Sequence, residues 1–205
     1  RNSIVERTKL KFQNDLAHSL DSMDPYLRWI DTNRLTVKLL ARMRMDAERL
    51  RVAGPILSII VPVYNTPRAF LEEMIGSVVS QIYPKWELCL ADDASTQPHV
   101  REVLEKMAAK DDRIRIIYRS RNGHIVEATN SALGIASGEY VVLLDHDDVL
   151  PPDAILHIAE CISRNPHVDW IYTDEDKIDK NGRHFDPQFK GGWNPEMAIT
   201  HNFTH

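Results

Sequence analysis

Several kinds of protein are excluded by what this sequence lacks. Its 205 residues contain only two cysteines, Cys89 and Cys161, which excludes a disulfide-rich scaffold and a cysteine-based metal site. We expect both to be small buried thiols in a reducing compartment. No run of eighteen apolar residues occurs, so the sequence predicts no helix that crosses a membrane.

Glycine is also scarce, with eight residues in the chain. Neither G-x-G-x-x-G nor the P-loop pattern G-x-x-x-x-G-K is present. A ligand that carries phosphate would therefore have to be held by side chains and a metal ion rather than by a glycine-rich loop.

Basic residues are sparse outside the first quarter of the chain. Residues 1–54 carry a net charge of +4, whereas residues 55–205 carry −9. An acidic domain without basic clusters binds nucleic acid poorly, so we expect no nucleic-acid partner. Segment 1–54 is a candidate for peripheral membrane or protein contact, although its charges are spread and a solvated helix face is the simpler interpretation. The chain begins without Met or an apolar signal core, which we interpret as a piece of a longer protein.

Residues 1–52 predict helices, because they contain no glycine and apolar residues recur at roughly helical spacing. We expect two helices broken near Asp24–Pro25, followed by a boundary at Gly54–Pro55. The predicted domains are a helical N-terminal extension at 1–54 and an α/β domain at 55–205.

Strand and helix patterns alternate from residue 56 onwards. Four β-α repeats predict a mainly parallel sheet with helices on both faces, and Asn181–Gly182 predicts a hairpin turn. The predicted strands are 57–63, 86–91, 113–118, 140–144 and 168–173, and the predicted helices are 67–81, 98–110, 125–136 and 153–164.

The most informative segment is Y-V-V-L-L-D-H-D-D-V at residues 140–149. Here an apolar strand leads directly into three carboxylates, Asp145, Asp147 and Asp148. Ligands of open α/β sheets bind beyond the carboxyl ends of the strands, where clustered carboxylates favour a divalent metal. The simpler interpretation is a turn that leads into a helix capped by Asp153.

Polar residues also follow the first three predicted strands, in segments 62–65, 92–95 and 119–124. Because parallel strands end at the same edge of a sheet, we expect these segments and residues 145–148 to meet there.

Ordered motifs of the chain resemble those of family 2 glycosyltransferases: L-S-I-I-V-P-V-Y-N, L-A-D-D-A-S-T and N-G-H-I-V-E-A-T-N-S-A-L-G-I-A-S-G-E-Y-V-V-L-L-D-H-D-D. The resemblance covers about residues 57–190. It implies the Rossmann-like GT-A fold and an enzyme that uses nucleotide-diphospho-sugars. The later segments Y-T-D-E-D-K-I-D and F-K-G-G-W-N-P-E resemble the bacterial branch that makes O-antigen, rhamnan and other cell-surface polysaccharides.

The resemblance implies a nucleotide pocket at the strand ends. Either Asp92 or Asp93 would accept a hydrogen bond from the imide N–H of a pyrimidine, which discriminates between bases because an unmatched buried carboxylate is costly. Thr129 departs from the family pattern, which usually has Arg there. The residues implied to surround the nucleotide are Pro62, Tyr64, Asn65, Asp92, Asp93, Asn122, Gly123, Asn130, Asp145 and His146.

Residues 145–147 match the D-x-D motif of the family. The resemblance implies that Asp145 reaches the ribose or donor sugar and that Asp147, together with Asp145, binds Mn²⁺ or Mg²⁺ at the two phosphates. Asp148 would add a water-mediated contact. The metal would stabilise the departing nucleoside diphosphate while an acceptor hydroxyl inverts the anomeric carbon, helped by a carboxylate base.

The catalytic base of the family lies further along the chain than this sequence extends, at the start of a helix beyond the acceptor loop. The local candidates are Asp174, Glu175 and Asp176, for which a role in shaping the acceptor or metal site is the simpler interpretation. We therefore expect a domain truncated at its C-terminus, which holds nucleotide but whose own transfer activity is in question.

The resemblance leaves the partners open within limits. UDP is the first expectation for the donor nucleotide, with dTDP or GDP as alternatives, and the acceptor would be a saccharide or a lipid-linked saccharide. We expect a cytoplasmic location, with peripheral attachment at the inner face of the cytoplasmic membrane as an alternative.

Two other functions compete with sugar transfer. The pattern around Asp145 also describes the nucleophile strand of haloacid-dehalogenase phosphohydrolases, although that family places it on the first strand. The third hypothesis is a scaffold that retains nucleotide binding without catalysis.

Several further residues have both an ordinary and a functional interpretation. Arg119 and Arg121 are either exposed loop residues or partners of phosphate, and His124 and His146 border the predicted site. His201 and His205 have the spacing of a helical metal site, yet such pairs near chain ends are usually incidental. Four aromatic residues are either core residues or sugar-stacking platforms: Trp170, Phe185, Phe189 and Trp193.

Overall fold

The structure, a computed structural model, describes residues 24–200. The predicted helix before Pro25 and the histidine pair His201 and His205 lie outside these residues. The described part forms two compact units, one of residues 37–169 and one of residues 24–36 with 170–200. The domain boundary at 54/55 stays a prediction.

The described elements are, in chain order, α1 (Pro25–Thr32), α2 (Val37–Ala53), β1 (Leu57–Val63), α3 (Arg68–Val79), β2 (Trp86–Asp92), α4 (Pro98–Ala108), β3 (Ile114–Tyr118), α5 (His124–Leu133), β4 (Tyr140–Leu143), α6 (Ala154–Arg164), β5 (Glu175–Ile178), β6 (His184–Gln188) and α7 (Pro195–Thr200). No helix among them is long and apolar enough to cross a membrane.

The larger unit is built on a parallel sheet with the strand order β3-β2-β1-β4. Leu57 of β1 pairs with Trp86 of β2 on one side and with Tyr140 of β4 on the other. The chain therefore leaves β1 first towards β2 and returns to its other side with β4. This reversal is the topological switch point, where open α/β sheets form a crevice beyond the strand ends. The predicted α/β fold with a mainly parallel sheet is confirmed.

The two central strands are apolar because both of their faces are buried. Every residue of β2 is buried, as are all residues of β1 except Pro62. On one face, Ala128 and Ala132 of α5 pack against Ile60, Cys89 and Ala91. Small alanine side chains allow this helix to approach the sheet closely, which brings the N-terminus of α5 to the carboxyl edge.

The opposite, amino-terminal edge of the sheet is held by a buried carboxylate, Glu87 of β2. Its oxygens accept hydrogen bonds from Ser58 Oγ at 2.6 Å, Arg115 Nη1 at 3.0 Å and Ser137 Oγ at 3.0 Å, and also from the Ser137 and Gly138 N–H groups. Burial alone would raise the pKa of Glu87, but these hydrogen bonds outweigh burial and lower the pKa to about 2. The ionised carboxylate therefore ties the loop before β4 to the centre of the sheet.

The smaller unit contains an antiparallel hairpin of β5 and β6. Its turn includes the predicted Asn181–Gly182 pair, and Gly182 adopts a positive φ of 75°. The Asp179 carboxylate accepts the N–H groups of Asn181 and Arg183, which closes the turn. Helix α1 begins as the sequence predicts, with Asp24 accepting the Tyr26 N–H and Pro25 in the first turn.

Two predictions about secondary structure are wrong. The expected strand at 168–173 does not form, because within the described residues no strand pairs with it, and Trp170 is exposed instead of buried. Helix α1 begins at Pro25 as predicted, but the single helix expected from there to residue 52 is divided at residues 33–36 into α1 and α2. Asn33 ends α1 there by donating its N–H and its side-chain amide to Trp29 O.

Candidate functional site

The carboxyl end of β1 leads into Tyr64 and Asn65. Tyr64 is largely exposed, whereas Asn65 adopts a positive φ of 51° that turns the chain sharply. Asn65 Oδ1 accepts the N–H groups of Thr96 at 2.8 Å and Gln97 at 3.1 Å, and its own N–H donates to Ser95 Oγ at 2.9 Å. Asn65 therefore fixes the loop after β2 against the end of β1, and half-buried Pro62 and exposed Tyr64 precede it in the chain.

Two adjacent carboxylates, Asp92 and Asp93, end β2 and are 6% and 2% exposed. Asp92 Oδ1 accepts the Ser95 N–H at 3.1 Å, and the Asp93 N–H donates to Val63 O at 2.8 Å. The backbone of both residues is thus hydrogen-bonded to β1 or paired with it, which fixes the position of the two carboxylates. A buried carboxylate needs a partner, and Asp93 has found one within the chain.

That partner is Arg119, whose Nε lies 2.7 Å from Asp93 Oδ1. Both Asp93 oxygens also accept the Gly123 N–H, at 3.0 and 3.1 Å. Arg119 Nη1 continues to Glu127 O at 2.6 Å and Ser131 Oγ at 2.5 Å on α5. Arg119 therefore joins the ends of β2 and β3 to α5, and it pairs with the buried Asp93 carboxylate.

Gly123 is the position where this arrangement requires glycine. A Cβ on Gly123 would lie 2.9 Å from Glu127 Cβ and would also strike the Arg119 guanidinium. The backbone can lie this close to Arg119 and Glu127 only because residue 123 has no side chain. Next to it, exposed Asn122 accepts the His124 N–H at 3.2 Å, and His124 starts α5 with a positive φ of 65°.

Asn130 is separated from these residues. It lies six positions beyond the first residue of α5, which is about 9 Å along the helix axis from the carboxyl edge. The structure therefore brings Pro62, Tyr64, Asn65 and the 92–95 and 119–123 segments together, but not Asn130, whose role in nucleotide binding stays a prediction.

The acidic segment after β4 also lies at the carboxyl edge. Leu144 is buried and donates its N–H to Ile60 O at 3.2 Å, which places half-buried Asp145 next to the end of β1 across the switch point. The Asp148 N–H donates to Asp145 O in a turn. His146 Nδ1 is buried at 3.6 Å from Asp147 Oδ1, and Asp147 itself is exposed.

The carboxylates of this segment suit a cation whose remaining coordination positions are filled by another ligand. Across residues 24–200, no three His, Cys, Asp or Glu side chains converge as a metal site of the protein alone. Asp145 and Asp147 supply two carboxylates at an open edge, and Mg²⁺ is commonly bound by one or two carboxylates together with water and substrate phosphates. The residues therefore fit a divalent metal that arrives with a phosphate ligand.

The remaining acidic residues, Asp174, Glu175 and Asp176, belong to the smaller unit. Asp174 accepts the Lys190 N–H at 2.7 Å, and Glu175 pairs with Lys190 Nζ at 3.0 Å. Asp176 accepts the Tyr26 hydroxyl and lies 2.6 Å from His184 Nδ1. These partners all serve to hold the hairpin and α1, so the role of catalytic base stays a prediction for each of the three.

Sequence reasoning missed the two residues that organise this edge from within. The sequence assigns Ser95 only to a polar segment after β2, and it offers Arg119 as a phosphate ligand. In the structure, Ser95 accepts the Asn65 N–H and Arg119 pairs with Asp93. A signal was available for Ser95, since serine after Asp often closes a local turn. The Asp93–Arg119 pair joins two different strands, which local patterns do not reveal.

Comparison with known proteins identifies the family. The sequence profile described as "Glycosyl transferase family 2" matches residues 58–204, which include the parallel sheet from the second residue of β1 onwards and the carboxyl edge. The chain belongs to glycosyl transferase family 2. Residues 24–57 of the described structure, with α1 and α2, precede the matched region.

Two similar proteins align with most of the chain. "Uncharacterized protein y4gI" of Sinorhizobium fredii is 50% identical over 150 residues, 73% of this chain and 16% of the relative. "O-antigen biosynthesis protein RfbC" of Myxococcus xanthus is 38% identical over 143 residues, 70% of this chain and 11% of the relative. The chain therefore spans less than a fifth of the length of these relatives.

A solved structure supports the same fold. The chain resembles S. aureus TarS residues 1–349 in complex with UDP-GlcNAc, with a TM-score of 0.50 and 29% identity. The superposed part covers 54% of this chain and 32% of that one.

Proposed function

We propose that this domain transfers a sugar from a nucleotide-diphospho-sugar to an acceptor hydroxyl during synthesis of a bacterial cell-envelope polysaccharide, with inversion at the anomeric carbon. The observation that carries the proposal is the placement of carboxylates on both sides of β1 at the switch point. Buried Asp92 and Asp93 lie at one side of β1, and the Asp145–Asp147 segment lies at the other. The name of RfbC and the UDP-GlcNAc complex of TarS favour polysaccharide synthesis and a nucleotide-sugar donor.

In this proposal the nucleobase binds beside β1 and β2. Asp92 is the better acceptor for a base imide, because Asp93 already contacts Arg119 and Gly123. Asn65 and Ser95 hold the intervening loop, and Pro62 and Tyr64 border the base and ribose. The family resemblance suggests UDP as the nucleotide, with dTDP or GDP as alternatives.

Asp145 and Asp147 would hold Mn²⁺ or Mg²⁺ on the diphosphate side of the crevice. The cation, when bound with the donor, would neutralise charge that develops on the departing nucleoside diphosphate. Half-buried Asp145 also lies near enough to the β1 end to orient the ribose or donor sugar. Asp148, which follows in the same turn, would support this segment through water.

Isothermal titration calorimetry tests the donor site. UDP, dTDP and GDP are titrated into the protein with and without Mn²⁺, and we expect one nucleotide to bind in a metal-dependent manner. Asp147→Asn should weaken binding by about tenfold or more, the loss expected when one charged ligand of a divalent ion is removed. The matched control is Asp112→Asn, an exposed aspartate in the turn before β3. Equal binding by wild type and Asp147→Asn would overturn the assignment.

A second function, nucleotide binding without transfer, is favoured by one observation. Each of the three base candidates, Asp174, Glu175 and Asp176, is occupied by a Lys, Tyr or His partner. Release of UDP from UDP-sugars in the presence of acceptor distinguishes the two functions. Nucleotide binding without release at any enzyme concentration would support the scaffold.

The phosphohydrolase hypothesis is not supported. It requires the acidic motif on the first strand of the domain, whereas Asp145 follows β4, the last strand of the parallel sheet to form along the chain. Peripheral attachment to the cytoplasmic membrane and a saccharide or lipid-linked acceptor stay predictions.

A further inference from the structure

Three aromatic rings of the smaller unit form a cluster that the donor site does not use. Tyr26 and Trp29 of α1 stack with their centroids 6.0 Å apart and their planes 17° apart. Phe189, which directly follows β6, meets both rings edge-on, at 6.1 Å from Tyr26 and 5.4 Å from Trp29. The rings therefore hold one another in fixed orientations.

The cluster is not a buried core. Trp29 is 49% exposed and Phe189 is 56% exposed, even though each packs on two other rings. Aromatic side chains usually bury most of their area, so half-exposed rings that are held rigid form a prepared apolar surface. Tryptophan and tyrosine in such positions commonly anchor a ligand.

The edge of the cluster provides hydrogen-bonding groups. The Tyr26 hydroxyl donates to Asp176, and this bond together with burial raises the pKa of Tyr26. His184 Nδ1 lies 2.6 Å from the same carboxylate. Asp176 thereby orients a phenol and an imidazole beside the ring surface, and it gives this edge acidic character.

We propose that Tyr26, Trp29 and Phe189 form a saccharide-binding surface that takes neutral sugar units of the acceptor chain. A pyranose ring has an apolar C–H face that packs on aromatic rings and equatorial hydroxyls that bond to carboxylate and imidazole groups. The Asp176 carboxylate disfavours phosphate and uronate, so the surface selects neutral sugars. The identity of the ligand as an acceptor rests on the proposed sugar transfer, whereas the binding itself does not.

This surface uses residues outside the matched glycosyl transferase region. Tyr26 and Trp29 precede residue 58, where the family profile begins. Helix α1 would thus give this chain an acceptor contact that the family profile does not include. This contact would be a function for helix α1, which precedes the glycosyl transferase region.

Intrinsic tryptophan fluorescence and calorimetry test the proposal without nucleotide or metal. Maltoheptaose, N-acetylchitohexaose and mannohexaose serve as neutral probes, and a hyaluronan hexasaccharide serves as the acidic probe. We expect at least one neutral probe to bind more tightly than the acidic one. Trp29→Ala should weaken binding about tenfold or more, as the loss of a central aromatic anchor does.

Two variants separate ring stacking from other effects. Tyr26→Phe keeps the ring but removes the hydroxyl, so it should retain most of the binding. Trp170→Ala removes a tryptophan that is 64% exposed and outside the cluster, and binding should stay within twofold of wild type. Circular dichroism of each variant verifies that α1 and the hairpin remain folded.

The result that overturns the proposal is binding that is unchanged in Trp29→Ala, or no binding of any neutral probe. Concentration-dependent dimerisation that Trp29→Ala abolishes, without sugar binding, would also overturn it and assign the surface to self-association. Calorimetry with UDP on the same samples separates these failures from failure of the donor site, because Trp29 is not among the donor-site residues.

Discussion

Arg119 Nε lies 2.7 Å from Asp93 Oδ1, although the two residues follow different strands, β3 and β2. The pair is the centre of the candidate donor site, since Asp93 also accepts the Gly123 N–H and Arg119 reaches α5. Two loops at the carboxyl edge and helix α5 therefore share one charged pair, and its loss should affect both stability and nucleotide binding.

Arg119→Leu should destabilise the protein strongly. It would leave the Asp93 carboxylate buried without its cation, a change that commonly costs about 3–5 kcal/mol. The free energy of unfolding from urea denaturation measures the effect. Arg121→Leu, an exposed arginine two residues away, is the control and should change stability by no more than about 0.5 kcal/mol. Equal stability of the two variants would show that the pair is not important for folding.

Gly123→Ala and Gly76→Ala should have opposite effects. A Cβ at Gly123 strikes Arg119 and lies 2.9 Å from Glu127 Cβ, whereas a Cβ at Gly76 meets nothing within 4 Å. We expect Gly123→Ala to destabilise by about 1–3 kcal/mol through overpacking. Gly76 lies within α3, so alanine should stabilise by about 0.5–1 kcal/mol. Thermal and urea unfolding of both variants measure the contrast, and a stabilised Gly123→Ala would contradict the packing at this position.

Glu87 should make stability depend on pH in the acidic range. Its pKa is lowered to about 2 in the folded protein, from an ordinary value of 4.5, so its contribution is fully present above about pH 4.5. The contribution is lost as the pH falls towards 2, because the unfolded chain takes up the proton first. The size of the loss is about 3 kcal/mol, since each pKa unit corresponds to about 1.4 kcal/mol.

Urea unfolding of wild type and Glu87→Gln between pH 5 and pH 2.5, a range set by these pKa values, tests this expectation. The Gln variant should be less stable at pH 5 and should lose less stability on acidification. Glu73→Gln, an exposed residue of α3, should follow the wild-type curve. If Glu87→Gln also follows it, the carboxylate does not support the fold in the manner described.

Asn65→Ala should loosen the loop after β2. The change removes the oxygen that accepts the Thr96 and Gln97 N–H groups, and it places alanine at a positive φ. Asn65→Asp keeps an acceptor oxygen and tolerates that φ, so it is the matched control. Hydrogen exchange of the Thr96 and Gln97 amides should accelerate at least about tenfold in the alanine variant, as expected for an amide that loses its acceptor. Unchanged exchange would mean that other bonds hold the loop.

The sequence predicts the sheet well because its signals there are local and redundant. Strand β1 has the predicted bounds, since a run of apolar residues between Pro55 and Tyr64 leaves no other choice. The motif after β4 was also readable, because apolar residues and carboxylates meet abruptly. The predicted strand at 168–173 failed for a non-local reason, which is that a strand forms only where another strand offers a free edge.

The candidate site was predicted as a set of residues but not as an arrangement. The sequence placed Asp93 and Arg119 at the same edge, yet it did not show that one neutralises the other. Asn65 was expected to contact the nucleotide, and the structure shows its oxygen holding the 96–97 backbone. The contacts of these residues depend on distances between the ends of different strands. A pattern within one segment of the sequence does not contain those distances.

Strand β2 carries a bonded carboxylate at each end, Glu87 at its start and Asp93 just beyond its last residue. A slip of one position, about 3.3 Å along the sheet, would break both sets of bonds and exchange the side chains that β2 packs against its two buried faces. The alignment of the strand is therefore fixed twice, at points six residues apart. The chain itself thus sets the distance between the loop before β4 and the carboxyl edge of the sheet. A ligand would therefore meet an edge that is already arranged.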